Sequence, residues 1–284
     1  MNIYAALALC FVPLIIMFFF VRCFAQTGII LCLYAVLLGL LAVAPISILQ
    51  FYAADIPILN SDHWITQLLR AVLFNGLIEE FIKIIFIFFL PSKRLSLGKF
   101  FLCACICGMS LGCFESAIYF LQHLQQANTI GAHLIYVQIF TRMFTSDAVH
   151  TLCAGLGGLF IRSIKRMRID IAAVLFAPIV HGLYDFFALY DDFKWFSVAA
   201  ILFLAVQCRI SYTSQAEEKS AGEKIPEKTG AIRKTEKILK EKAVREKVSK
   251  ETKTGGKSAQ TERSEKEEST EKKKLTKRKT IRKN

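Results

Sequence analysis

Apolar residues run in long blocks through the first three quarters of the chain, with polar residues confined to short interruptions. A bilayer span needs about 20 mostly apolar residues. The stretches 3–21, 28–50, 68–90, 97–121, 143–161, 169–190 and 194–212 have that character, which predicts about seven spans. Each is expected to be helical, because lipid offers backbone N–H and C=O groups no partner outside their own segment. The fold class that follows is all-α, a polytopic transmembrane helical bundle. The first stretch does not read as a typical signal peptide, since no basic region precedes it.

The pattern changes abruptly after residue 212. Residues 213–284 are rich in Lys, Glu, Thr and Ser and contain no aromatic residue. From Ser211 onward there are 23 basic and 13 acidic residues, so +10 of the net charge of +13 lies in this tail. Hydrophobic residues still make up 54% of the chain and mean hydropathy is +0.43, which leaves too little polar surface for a soluble globule. Two parts are therefore expected: a membrane domain over 1–212 and a disordered basic tail over 213–284. Within the tail, Ile232–Val248 has the mix of a transient helix, and Lys272–Lys279 is a dense basic cluster. Anionic lipid headgroups are the partner this cluster suggests, at roughly 1 kcal/mol per charge. Nucleic acid has neither aromatic nor fold support. The nine cysteines lie mostly inside apolar blocks and are expected to act as small hydrophobes, not as a metal or disulfide framework.

Loop charges suggest an orientation. Arg22, the loop 91–99 with Lys93, Arg94 and Lys99, the loop 162–168 with Arg162, Lys165, Arg166 and Arg168, and the tail are basic. The loop 51–67 carries Asp55 and Asp62 without Lys or Arg, and 191–194 carries Asp191, Asp192 and a single Lys194. The positive-inside rule then places the N-terminus outside and the tail in the cytoplasm, which needs an odd number of spans.

Against this apolar background, four consecutive spans carry ionisable residues. Glu79, Glu80 and Lys83 fall in the third span, Glu115 in the fourth, Asp147 and His150 in the fifth, and His181 with Asp185 in the sixth. Each costs roughly 2.5–3.5 kcal/mol in a bilayer unless it meets a partner or water. Helical spacing puts Lys83 within reach of Glu79 and Glu80, Tyr119 one turn from Glu115, and Asp185 one turn from His181. At about 1.5 Å per residue, Glu79, Glu115, His150 and His181 all lie roughly 9–15 Å below the outer ends of their helices. Antiparallel helices thus deliver their polar groups to one slab, as a cavity open to the outside requires. Such a cavity serves either an enzyme or a proton- or cation-coupled transporter; no inverted repeat is visible to favour transport.

Glu79-Glu80-x-x-Lys83, Phe114-Glu115-x-x-x-Tyr119, the later His150 and His181-x-x-x-Asp185 resemble, in order, the motifs of PrsW-type intramembrane proteases. That family is related to the CAAX prenyl proteases, whose own pattern fits less well: its later Arg and its Phe-x-x-x-His motif are absent. The resemblance covers about residues 65–190. One motif departs, since Ala154 stands four after His150 and Gly155 follows it. The resemblance implies an endopeptidase of the bacterial inner membrane. It would cut a membrane-anchored protein near the outer face, with an anti-sigma factor as the substrate by analogy.

For such chemistry the residues suggest the following roles. Glu79 or Glu80 is the general base, because two adjacent acids in a low-dielectric site resist joint ionisation. His181 shares the water or stabilises the oxyanion, with Asp185 orienting its ring. His150 is a second oxyanion donor or a substrate-positioning group. Lys83 compensates the acid pair, and Glu115 with Tyr119 completes the polar wall. A metal-dependent version stays open, with Glu80, His150 and His181 holding zinc or another divalent ion, although no His-Glu-x-x-His motif is present.

Overall fold

The computed structural model describes residues 3–54, 56, 61–124, 131–164, 171–190, 193 and 195–217. Every element among them is helical. Ile3–Cys10 (α1) and Val12–Cys23 (α2) form one rod interrupted at Phe11. Pro13 explains the break, because it has no N–H to continue the ladder from the preceding turn. Ile29–Ala54 (α3) follows, with Pro45 in its interior. Trp64–Arg70 (α4) leads into a π-helical stretch, Ala71–Leu77, and then Ile78–Phe88 (α5). Leu97–His123 (α6) begins at Ser96, whose hydroxyl accepts from Lys99 N at 3.3 Å. Ala132–Phe144 (α7), Ser146–Ile164 (α8), Ile171–Ala188 (α9) and Trp195–Glu217 (α10) complete the series.

Five helical stretches are long and apolar enough to cross a membrane: Ile3–Cys23, Ile29–Ala53, Leu97–His123, His133–Ile164 and Trp195–Glu217. Val174–Ala188 is a shorter apolar helix. The stretch from α4 to α5 also reaches span length, but Arg70, Glu79, Glu80 and Lys83 lie within it. The chain is a multi-pass membrane protein.

The fifth expected span, 143–161, is part of a longer feature. The sequence of α7 contains His133, Gln138 and Arg142, which dilute its hydropathy and make it read as a loop. Yet Ile135 and Ile139, four apart, bury one stripe against Ala6, Cys10, Ala117 and Phe120. The chain then turns at Thr145 into α8. The last helix also exceeds its expected limit. It continues five residues past 212 to Glu217, and Gln215 Nε2 donates to Leu159 O at 2.9 Å. The expected loop charges Asp55, Lys165, Arg166, Arg168, Asp191, Asp192 and Lys194 lie outside the described residues, as does the tail from Glu218.

α6 is the central helix, packed against α3 on one side and α8 on the other. Glycine makes the closest of these approaches possible. A Cβ on Gly108 of α6 would stand 2.3 Å from His150 O of α8. The π-helical stretch and α9 meet in the same manner: a Cβ on Gly76 would lie 2.2 Å from Pro178 O, and one on Gly182 2.4 Å from Val72 Cα. Small residues let helix backbones touch in this way. Here the contact carries His181 to the acids of α5.

Candidate active site

α5 is an amphipathic helix turned inward. Glu79, Glu80, Lys83 and Ile87 recur at helical spacing, and all four are buried. The seven-residue π-helical stretch Ala71–Leu77 runs directly into α5. π-helical segments cluster at functional sites.

Two imidazoles meet this face. His181 Nδ1 lies 2.6 Å from Glu80 Oε1. The same oxygen accepts from Lys83 Nζ at 2.5 Å. Lys83 is fully buried, and its ammonium also stands 3.1 Å from His150 Nδ1. His150 Nε2 lies 2.5 Å from Glu115 Oε2. Lys83 can only donate, so His150 presents an Nδ1 lone pair and carries its proton on Nε2, toward Glu115. By the same reasoning His181 donates from Nδ1 to Glu80 and leaves Nε2 bare.

Nδ1 of His150, which already accepts from Lys83, and the bare Nε2 of His181 both face one oxygen. Glu79 Oε2 is 3.8 Å from His150 Nδ1 and 3.8 Å from His181 Nε2. Among the described residues it makes no hydrogen bond, although Glu79 is only 6% exposed. Asp185 Oδ2 stands 3.9 Å from His181 Nε2, with its side chain 27% exposed. The Lys83 ammonium serves Glu80 and His150, so the atoms left to share a further positive charge, a proton or a metal ion, are Glu79 Oε2 and His181 Nε2.

A second set of side chains holds the first. Gln50 of α3 donates to Glu79 Oε1 at 2.7 Å. Arg142 of α7 donates through Nη2 to Glu115 Oε1 at 2.8 Å and to Ser146 Oγ at 3.1 Å. Its guanidinium lies 4.5 Å from the centre of the Tyr119 ring, which stacks on His123. Asp147 is fully buried and accepts from Ser116 Oγ at 3.0 Å.

Comparison with protein families returned a match. The model of the PrsW family of intramembrane metalloproteases covers residues 27–208. The chain belongs to that family. Comparisons with curated proteins and with solved structures returned no match. Membership in the PrsW family makes the chain an intramembrane protease, which decides between the two uses of a buried acid and imidazole cluster in favour of proteolysis.

A PrsW metalloprotease calls for a divalent ion, and the side chains present fit one. Glu79, His150 and His181 each offer a ligand atom, all within 4.8 Å of one another. Each imidazole has a carboxylate behind it, Glu115 for His150 and Glu80 for His181, the arrangement that fixes the tautomer of metal-binding histidines. The orphaned Glu79 Oε2 supplies the charge.

The structure pairs several of the expected residues in its own way. The carboxylate facing both imidazoles is Glu79, beside the expected Glu80, His150 and His181 set; Glu80 Oε1 is engaged by Lys83 and His181. The orienting partner of His181 is Glu80, across helices, and Asp185 faces the other ring nitrogen. Lys83 chooses Glu80 over Glu79 and adds His150. Tyr119 joins the wall through its ring, by way of Arg142, one turn away from Glu115 as spacing implied. The departure at Ala154 is accommodated, since a Cβ on Gly108 would lie 2.4 Å from the Ala154 Cβ and there is little room for more. Cys153 packs in an apolar cluster as a small hydrophobe, and its Sγ with Glu80 and His181 also forms a second group of candidate ligand atoms. Gln50 and Arg142 were missed. Both are polar residues at or just beyond the edge of an expected span, where polarity reads as the water interface.

Proposed function

We propose that the chain cleaves membrane-anchored proteins close to the outer face of a bacterial cytoplasmic membrane, with its N-terminus outside and its tail in the cytoplasm. The observation that carries the reading is Glu79 Oε2 facing Nδ1 of His150 and Nε2 of His181, 3.8 Å from each. Glu79, His150 and His181 hold a divalent ion, zinc being the first candidate for such a donor set. When bound, that ion polarises the scissile carbonyl and acidifies water.

The chain's own groups do the rest. Glu80 and Glu115 hold the two imidazoles in the tautomers described. Lys83 pairs with Glu80 and holds its carboxylate in place for that duty. Asp185 Oδ2 accepts the proton of the attacking water and returns it to the leaving amine; its partial exposure gives that proton a path to solvent. A single-span regulator of the anti-sigma-factor kind is the substrate class suggested by the family analogy, and the basic tail has the composition to hold anionic lipid headgroups.

The test is a proteomic comparison of membranes containing the wild type or Glu79→Gln. The expected result is a single-span protein that loses its outer domain only with the wild type. Identical membrane proteomes would overturn the reading.

A further inference from the structure

We infer that Gln50 is a positioning residue for the site, which fixes the carboxylate of Glu79 so that one oxygen stays free for the ion. The inference rests on the proposed metal site and adds a residue that none of the recognised motifs contains.

A carboxylate beside two imidazoles has two ways to satisfy itself. It can turn both oxygens toward ring nitrogens, or it can be held by one oxygen so that the other points at the nitrogens alone. Glu79 adopts the second. Oε1 accepts from Gln50 Nε2 at 2.7 Å, and Oε2 makes no hydrogen bond among the described residues. Gln50 reaches Glu79 from 29 residues away, on a helix that supplies no other side chain to the cluster described above. Its position follows from the path of α3. Gly39 sits against Cys107 O of α6, where a Cβ would stand at 2.1 Å, and anchors the middle of α3. Pro45 then removes one rung of the helix ladder five residues before Gln50. The last turns reach the start of α5.

The amide suits this task better than a charged donor. Lys or Arg here would pair with Glu79 and compete with a cation for it, whereas a neutral amide orients the carboxylate and leaves its full charge for the ion. Partners of this kind, behind a metal ligand, are worth about 10–100-fold in metal affinity or activity when removed.

The test uses the full-length protein in lipid nanodiscs, with zinc ion as the probe in competition with a chelator. Gln50→Met keeps length and loses the donor; Gln50→Glu sets an acceptor against Glu79. The expected result is tenfold or more loss of zinc affinity in both, with stoichiometry at saturating zinc unchanged and kcat lowered more than KM is raised. A merely structural role would lower the stoichiometry in proportion to the folded fraction and leave the affinity of the remainder intact, and that result overturns the inference. Wild-type affinity and kcat in Gln50→Met overturn it as well. Glu79→Gln is run alongside. If it too binds zinc and cleaves normally, the metal-site reading fails first and this inference with it; if Glu79→Gln loses both while Gln50→Met loses neither, only the inference on Gln50 fails.

Discussion

His150 and His181 meet edge to face, with ring centroids 4.8 Å apart and ring planes at 82°. They come from consecutive helices, α8 and α9, and each is turned by a carboxylate from elsewhere, His150 by Glu115 of α6 and His181 by Glu80 of α5. The crossing aims Nδ1 of one ring and Nε2 of the other at the same oxygen, Glu79 Oε2. Four helices are thus committed to one point, and a disturbance of any of them should be read there.

The two adjacent acids should separate by phenotype. Glu79→Gln keeps the contact with Gln50 and removes a charge whose Oε2 makes no hydrogen bond among the described residues, so melting should change little while cleavage falls to background. Glu80→Gln or Lys83→Met breaks a fully buried ion pair, and leaving one charge unmatched costs about 3–5 kcal/mol. Both should lower the melting temperature in nanodiscs as well as activity. A stable, inactive Lys83→Met would show that the pair serves the chemistry alone.

Gly76 tests whether helix spacing sets the site. Its missing side chain admits Pro178 O, and a backbone carbonyl cannot rotate away. Gly76→Ala should push α9 from the π-helical stretch, cost about 1–3 kcal/mol by overpacking, and separate His181 from Glu79. Gly28→Ala, with nothing within 4 Å of its added Cβ, is the control and should be neutral. Cleavage by Gly76→Ala at wild-type rate would show that the close approach is not needed.

The sequence made the membrane bundle and the four polar helices legible, because charges in apolar blocks are conspicuous and their cost is large. It did not reveal which acid faces which imidazole. Helical spacing says that Lys83 reaches both Glu79 and Glu80, and only the packing of α5 against α8 and α9 chooses. α7 escaped for a related reason. Hydropathy averages over a window, and three polar side chains hid the Ile135 and Ile139 stripe that buries it. Gln50 and Arg142 escaped because a polar residue near a span end carries no signature of its own until a partner from a distant helix is seen.

Arg142 now yields a prediction of its own. It holds Glu115 Oε1 while Glu115 Oε2 holds His150, so its influence on the site passes through two side chains. Arg142→Met should lower kcat/KM about 10–100-fold, the range seen when such outer partners are lost. Arg142→Lys keeps the charge but not the planar fork that spans Glu115 and Ser146, and should recover only part of that loss. Full recovery by Lys would mean that charge alone suffices.

Ion removal offers a direct check on the donor set. A membrane-permeant chelator should abolish cleavage by the purified protein, and added zinc or another divalent ion should restore it. Glu115→Gln should keep a bound ion but release it faster to chelator than the wild type, because its carboxylate stands behind His150 and not on the ion. Cleavage that persists through exhaustive chelation would return the site to a purely acid and imidazole mechanism, with Glu79 as the base.

The proposed orientation can be read from a single thiol. All nine cysteines are free, and Cys23 alone is exposed. It follows Arg22 at the end of the first span, on the side that the basic loops assign to the cytoplasm. A membrane-impermeant maleimide should therefore leave Cys23 unmodified in intact spheroplasts and label it once the membrane is permeabilised. Cys23→Ser should remove that signal, because the other eight thiols are buried. Labelling of Cys23 in intact spheroplasts would invert the topology, placing the Glu79 site in the cytoplasmic half of the membrane and its substrates' cleavage sites with it.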